Sequence, residues 1–264
     1  MKKTLIALAV ASSAVMPIST MASNGSWGNS ESNFNMGGTI LVDANKDVWE
    51  VYSAPSANID SAVASGTAEI SLSVTKNIPV LGMRSLKVFN GGLGLTPQIT
   101  YGNDSHQVSD LIFDGSKTEV SLKVKNKTDN QDIGTLKTKM FMAGYASYKN
   151  HAESETYPGN AVSIVARNAG EAFYGGVPKT SAEVGSGTFN KIKQLIPDVS
   201  EHYDDQGVGA TTPGYRTFDN PTKTFSAIYG AGIMAGEEVT ITLNTPATEN
   251  INWTAQLPIT VSYM

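Results

Sequence analysis

An all-β fold in one domain is what this sequence predicts, on three observations. Apolar side chains recur at every second position in one segment after another, clearest at Ile70, Leu72 and Val74 and at Val120, Leu122 and Val124. That period puts them on one face of a pleated strand. Helical spacing is best developed at a single place, Phe189, Ile192, Leu195 and Ile196, where Pro197 stops it. Sheet-type segments stand on both sides of an irregular middle, about 143–219, so the middle reads as an insertion of loops and a short helix into one scaffold.

Residues 1–22 read as a secretory signal: Lys2 and Lys3, a short apolar run from Leu5 to Val15, and the small Ala22 at the cleavage point. The run is shorter than the roughly 20 residues that a membrane-spanning helix needs. Residues 23–42 open Gly-, Ser- and Asn-rich and then alternate through Phe34, Met36, Gly38, Ile40 and Val42. A strand beside a terminus, preceded by a polar arm, suits pairing with a partner's open sheet edge, where main-chain bonds give affinity and alternate side chains fill pockets. The domain proper is then 43–264. Its opening Asp43-Ala-Asn-Lys-Asp47 has alternating oxygen ligands, but Val48 stands where a calcium loop needs glycine and Ala54 where it needs glutamate, so a turn is expected.

Strands are expected over 48–52 and 68–74, a glycine turn at 90–94 without phosphate-loop spacing, and a hairpin of 118–125 with 135–142 around a polar loop. Beyond the insertion come 225–233, a turn at Gly236, and 239–243. The chain ends on a strand over 253–264, with Trp253, Ala255, Leu257, Ile259, Val261 and Tyr263 on one face. A terminus normally frays, so a terminal strand this apolar must dock against something.

A chain of 264 residues with 40% hydrophobic content can bury a sizeable core. Cysteine is absent, so stability in an exported protein must come from packing or from neighbouring chains. The formal charge of -5, with basic residues scattered, gives no stripe for nucleic acid. His106, His151 and His202 are isolated and fit no metal-ligand spacing; Gly185-Ser-Gly187 is not a nucleophile elbow. Asp204 and Asp205 are of the residue type that serves glycoside hydrolysis, without a pattern that commits the chain to it. No catalytic residue, cofactor or metal is expected.

Several stretches carry a family resemblance: Met1 to Ala9, Met36-Gly-Gly-Thr-Ile40, Ala172-Phe-Tyr-Gly-Gly-Val-Pro-Lys-Thr180, Ser226-Ala-Ile-Tyr-Gly-Ala-Gly-Ile233 and the Trp253 to Tyr263 end. In these the chain resembles chaperone/usher fimbrial major subunits of the kappa-class, enterotoxigenic type, which double as adhesins. The resemblance implies an incomplete immunoglobulin-like sandwich whose missing strand is supplied by the next identical subunit. Phe34, Met36, Gly38 and Ile40 would be the donor strand. Leu257, Ile259, Val261 and Tyr263 would pair first with a periplasmic chaperone, and an outer-membrane usher would then lead the polymer to the cell surface. It also implies a host-glycan receptor, with a sugar site in the insertion just before Phe173-Tyr-Gly-Gly176. An adhesive member carries an aromatic and an acidic residue where this chain has Val165 and Arg167. Arg167, Asn168 and Glu171 supply hydrogen-bonding groups there, and Phe173 or Tyr174 a stacking face. The alternatives are an outer-membrane β-barrel and a free-standing secreted lectin.

Overall fold

The structure, a computed structural model, describes residues 26–28, 32–34, 38–40 and 48–264, apart from 56, 58, 104, 105, 109 and 152–156. It is an antiparallel β-sandwich of the immunoglobulin-like kind with one short helix, as the alternating segments require. The hairpin of Lys117–Asn126 and Asp132–Asn150 forms in the expected place, with Val120 opposite Thr138 and Leu122 opposite Leu136. Val120, Leu122 and Val124 are buried while Glu119 before them and Lys123 among them are exposed. A membrane barrel would turn the apolar set outward to lipid. Here that set faces a packed core, which removes the barrel alternative.

The two layers share one member, the 19-residue strand Asp132–Asn150. Its first half lies between Lys117–Asn126 and Glu238–Ala247, with Thr67–Ser73 beyond the latter and Trp253–Ala255 beyond the former. Its second half lies between Lys223–Ile233 and Gly159–Ser163, and Ile78–Ser85 and Trp49–Ser53 extend that layer. The change of partners falls near Phe141, which stands opposite Lys117 on one side and Gly232 on the other.

Three expectations are corrected. The strand continues to Asn150, so the irregular region begins later than residue 143; Met140 to Ala143 are buried on both faces, which erases the alternation that marks a strand in sequence. Ile78–Ser85 and Pro97–Asn103 are strands that the alternation did not reveal. The terminal segment is two strands: Trp253–Ala255 pairs with residues 124–126, and Ile259–Tyr263 pairs with Pro97 to Tyr101. Pro258 sits at the junction; it has no N–H for a ladder, and the chain changes partners there.

Glycine explains how the irregular region seats itself. The helix Thr188–Leu195 forms where the spacing predicts it, burying Ile192 and Leu195. A Cβ at Gly230 would lie 3.0 Å from Ile192, one at Gly232 2.9 Å from Leu195, and one at Gly82 2.6 Å from Ile196. These glycines leave a trough in the sheet that takes the helix side chains, and Lys223–Ile233 is consequently buried on both faces from Phe225 onward. Arg84 ties the same region down. It is 4% exposed, donates from Nε to Glu50 at 2.8 Å, and donates from Nη1 to the Asp198 carbonyl and to Glu201. Glu50→Gln removes one buried counter-charge while Glu201 remains, so a loss of about 2 kcal/mol is expected, below the roughly 3–5 kcal/mol of a fully broken buried pair. That corresponds to roughly 5 °C in melting temperature for a chain of this size, measurable by circular dichroism.

The core ends in a tyrosine pair. The Tyr101 and Tyr229 hydroxyls are 2.8 Å apart, and Tyr229 donates to the Gly176 carbonyl at 2.9 Å. Burial raises both phenols above their ordinary value near 10, and burial likewise raises Tyr263. A raised phenol favours the neutral form in the fold, so its stabilisation is complete below pH 10 and is lost as pH climbs, because the unfolded chain ionises first. Melting temperature should be flat from about pH 7 to 9 and fall above about pH 10, as stability is lost at up to about 1.4 kcal/mol per pH unit for each such tyrosine. Tyr101→Phe should soften that fall.

Candidate assembly edge and ligand cleft

Among the described residues, the terminal strand has a ladder on one side, with Pro97–Asn103. Val261 stands opposite Ile99 and Tyr263 opposite Pro97, while Gly102 donates its N–H to the Pro258 carbonyl at 2.8 Å. Thr96 and Met264 exchange N–H bonds at 3.0 Å each, so the ladder runs to the last residue. Leu257, Ile259 and Val261 are at most 1% exposed, whereas Thr260 and Ser262 face outward. Tyr263 Oη is buried without a hydrogen-bond partner among the described residues. No ladder occupies the strand's other side among the described residues.

One short piece of the N-terminal segment lies near this edge and a second near the strand Trp49–Ser53. Gly38–Ile40 runs within 8 Å, Cα to Cα, of Ile259–Tyr263, and Ser32–Phe34 comes similarly close to Trp49–Ser53. The two pieces pair with each other, Phe34 opposite Gly38 and Ser32 opposite Ile40, and Ser26–Gly28 pairs with Trp49–Ser53. The single strand expected over 32–42 is therefore a hairpin here, with Met36 outside the described residues.

The whole-chain comparison decides the family. Residues 1–264 match the family model described as fimbrial, major and minor subunit, of the K88 type. The chain belongs to that family. Among similar proteins are the K88 fimbrial proteins AC and AD of Escherichia coli, 24% and 25% identical, and the F41 fimbrial protein of Escherichia coli, 25% identical. Each alignment covers 100% of both chains.

Within this fimbrial subunit the expected sugar-site residues share one loop but differ in what they can offer. Arg167 and Asn168 are exposed. The Glu171 carboxylate is used by the loop itself, accepting from the Arg167 N–H at 2.5 Å, the Asn168 N–H at 3.2 Å and Asn168 Nδ2 at 3.2 Å. Gln98 fastens the loop to the strand Pro97–Asn103: its Nε2 donates to the Glu171 carbonyl and its Oε1 accepts from Gly170 N–H. Phe173 is corrected to a core residue. It is 0% exposed, stacks on Tyr229 at 5.2 Å and meets Trp49 edge-on at 5.9 Å, so it has no face for a ligand. Its φ of 60° lies in the left-handed region, a cost that dense packing offsets. Tyr174 is partly buried and packs against the core. The Phe173-Tyr-Gly-Gly176 signature thus anchors the fold, since a Cβ on Gly176 would strike Tyr229 Oη at 2.7 Å.

Sequence reading missed a second concave surface. A cleft of about 900 Å³ opens between Ala161 and Ser163, the start of the helix, and residues 201–211. Its aromatic side is Tyr145, Phe189 and Tyr203, with ring centroids 5.0 to 5.8 Å apart. Burial and the Asp205 charge raise the Tyr145 phenol, which places that carboxylate beside the rings. These residues are scattered along the chain, and the sequence does not show that Phe189, Asp204 and Asp205 come together with Tyr145 and Tyr203.

Proposed function

We propose that this fimbrial subunit polymerises by donor-strand complementation and that the polymer adheres to host glycans at the cell surface. Residues 23–42 of one copy enter beside Ile259–Tyr263 of the next, with a periplasmic chaperone holding that edge beforehand and an outer-membrane usher passing the subunits outward. The observation that carries the reading is the terminal strand. It buries apolar side chains on alternate positions and, among the described residues, has one main-chain edge without a ladder, next to which the chain's own Gly38–Ile40 lies. An exported protein with such an edge must cover it or aggregate. Membership of a fimbrial family and full-length similarity to the K88 and F41 fimbrial proteins support the same reading. The exposed Arg167 and Asn168 remain candidates for the adhesive contact, on a loop held by a rigid scaffold.

Co-expression with a fimbrial chaperone and usher, followed by immunogold electron microscopy, tests assembly: thin filaments labelled along their length are expected, and secretion as monomer alone would refute it. Purified filaments on a glycan array test adhesion separately.

A further inference from the structure

We infer that the N-terminal segment of a free subunit caps its own assembly edge, so that the chain is autoinhibited as both acceptor and donor until another strand displaces that segment. This rests on the donor-strand reading above and concerns the regulation of the same edge. The segment reaches two strands that share no ladder with each other. Ser26–Gly28 forms an antiparallel ladder with Trp49–Ser53, with Ser26 opposite Ser53, Trp27 opposite Tyr52 and Gly28 opposite Val51. Ser32–Phe34 comes within 8 Å, Cα to Cα, of that same strand, while Gly38–Ile40 comes within 8 Å of Ile259–Tyr263. Because Ser32–Phe34 and Gly38–Ile40 pair with each other, the hairpin bridges from Trp49–Ser53 to the terminal strand.

One segment cannot serve two edges. Residues held against their own subunit are withheld from the next copy, and an incoming strand finds the edge already covered. Tethering favours the internal contact, since a short linker gives an effective concentration on the order of millimolar, far above the roughly micromolar level of a free subunit. Length favours the external one. The folded-back limb presents three residues, Gly38–Ile40, to a strand of five, Ile259–Tyr263, and its own pairing goes to Ser32–Phe34. An extended copy of 32–42 would run past the whole terminal strand and give it a full ladder. The internal cap is thus quick to form and the intermolecular strand is the more stable occupant, which makes the cap a latch and not a dead end. The apparent affinity of an incoming strand falls with the fraction of subunits that are uncapped.

The test uses the chain from Ser23 to Met264, purified without a chaperone, and a dye-labelled peptide of residues 23–42 as the incoming strand. Peptide uptake by the wild type should reach a rate that no longer rises with peptide concentration, because opening of the cap limits it. Ser26→Pro combined with Trp27→Pro removes two successive N–H groups, one of which faces the Trp49–Ser53 ladder, and leaves the Phe34 to Ile40 alternation intact. That variant should take up peptide about tenfold faster or more. Equal uptake rates in the two chains would overturn the cap. A second measurement keeps the segment whole. The chain has no cysteine, so Thr39→Cys paired with Thr260→Cys or with Ser262→Cys, two exposed positions of the terminal strand, gives a defined site for a short bismaleimide. A crosslinked monomer is the expected product. Its absence from both pairs would overturn the cap, and crosslinked dimers in its place would leave strand exchange between copies standing. Peptide refused by the wild type and the proline variant alike would overturn the donor-strand reading itself, and the inhibitory role of the cap with it.

Discussion

Removal of residues 23–42 is expected to abolish filaments while leaving chaperone binding intact. The terminal edge, Ile259–Tyr263 on Pro97–Asn103, is built without those residues, so a chaperone finds the same surface; what is lost is the segment that would fill the next subunit's edge. Co-purification with chaperone should stay near wild type, and electron microscopy should find no polymer. Normal filaments from the truncated chain would refute the mechanism. Moving the same segment behind Met264 on a short linker makes complementation intramolecular, at an effective concentration on the order of millimolar. That variant should be a soluble monomer that neither polymerises nor needs a chaperone.

Val261→Asp is expected to eliminate the subunit from the periplasm. Val261 is 1% exposed and faces the core opposite Ile99, itself 2% exposed. A carboxylate there loses water without gaining a partner, a cost above about 4 kcal/mol that rivals the whole stability of many domains. Thr260→Asp, one residue away on the exposed face, should accumulate normally. Immunoblots of periplasmic extracts compare the two, and equal levels would show that burial along this strand decides nothing.

The sequence was readable where one face of a strand is wet. Residues 118–125 and the end of the chain advertise themselves because Glu119, Lys123, Thr260 and Ser262 meet solvent between buried neighbours. Ile78–Ser85 did not, since it is buried on both faces from Val80 onward and reads as a plain apolar run. Residues 143–147 were misread for the same reason, with small side chains under the inserted region mimicking a loop. Phe173 looked like a ligand platform because nothing in a sequence records a left-handed backbone turning an aromatic ring inward. The cleft was invisible because its rings come from strand, helix and loop, and only folding brings Tyr145, Phe189 and Tyr203 together.

The strand Asp132–Asn150 has a consequence for how the molecule comes apart. In a sandwich whose layers are joined only by loops, one sheet can in principle melt while the other persists. Here an unbroken run of backbone carries ladder bonds in both, so loosening either layer strips partners from the other. The layers are therefore expected to loosen together as one cooperative unit. For a subunit that assembles as proposed above, this would leave two states to manage, folded with the edge covered or wholly unfolded.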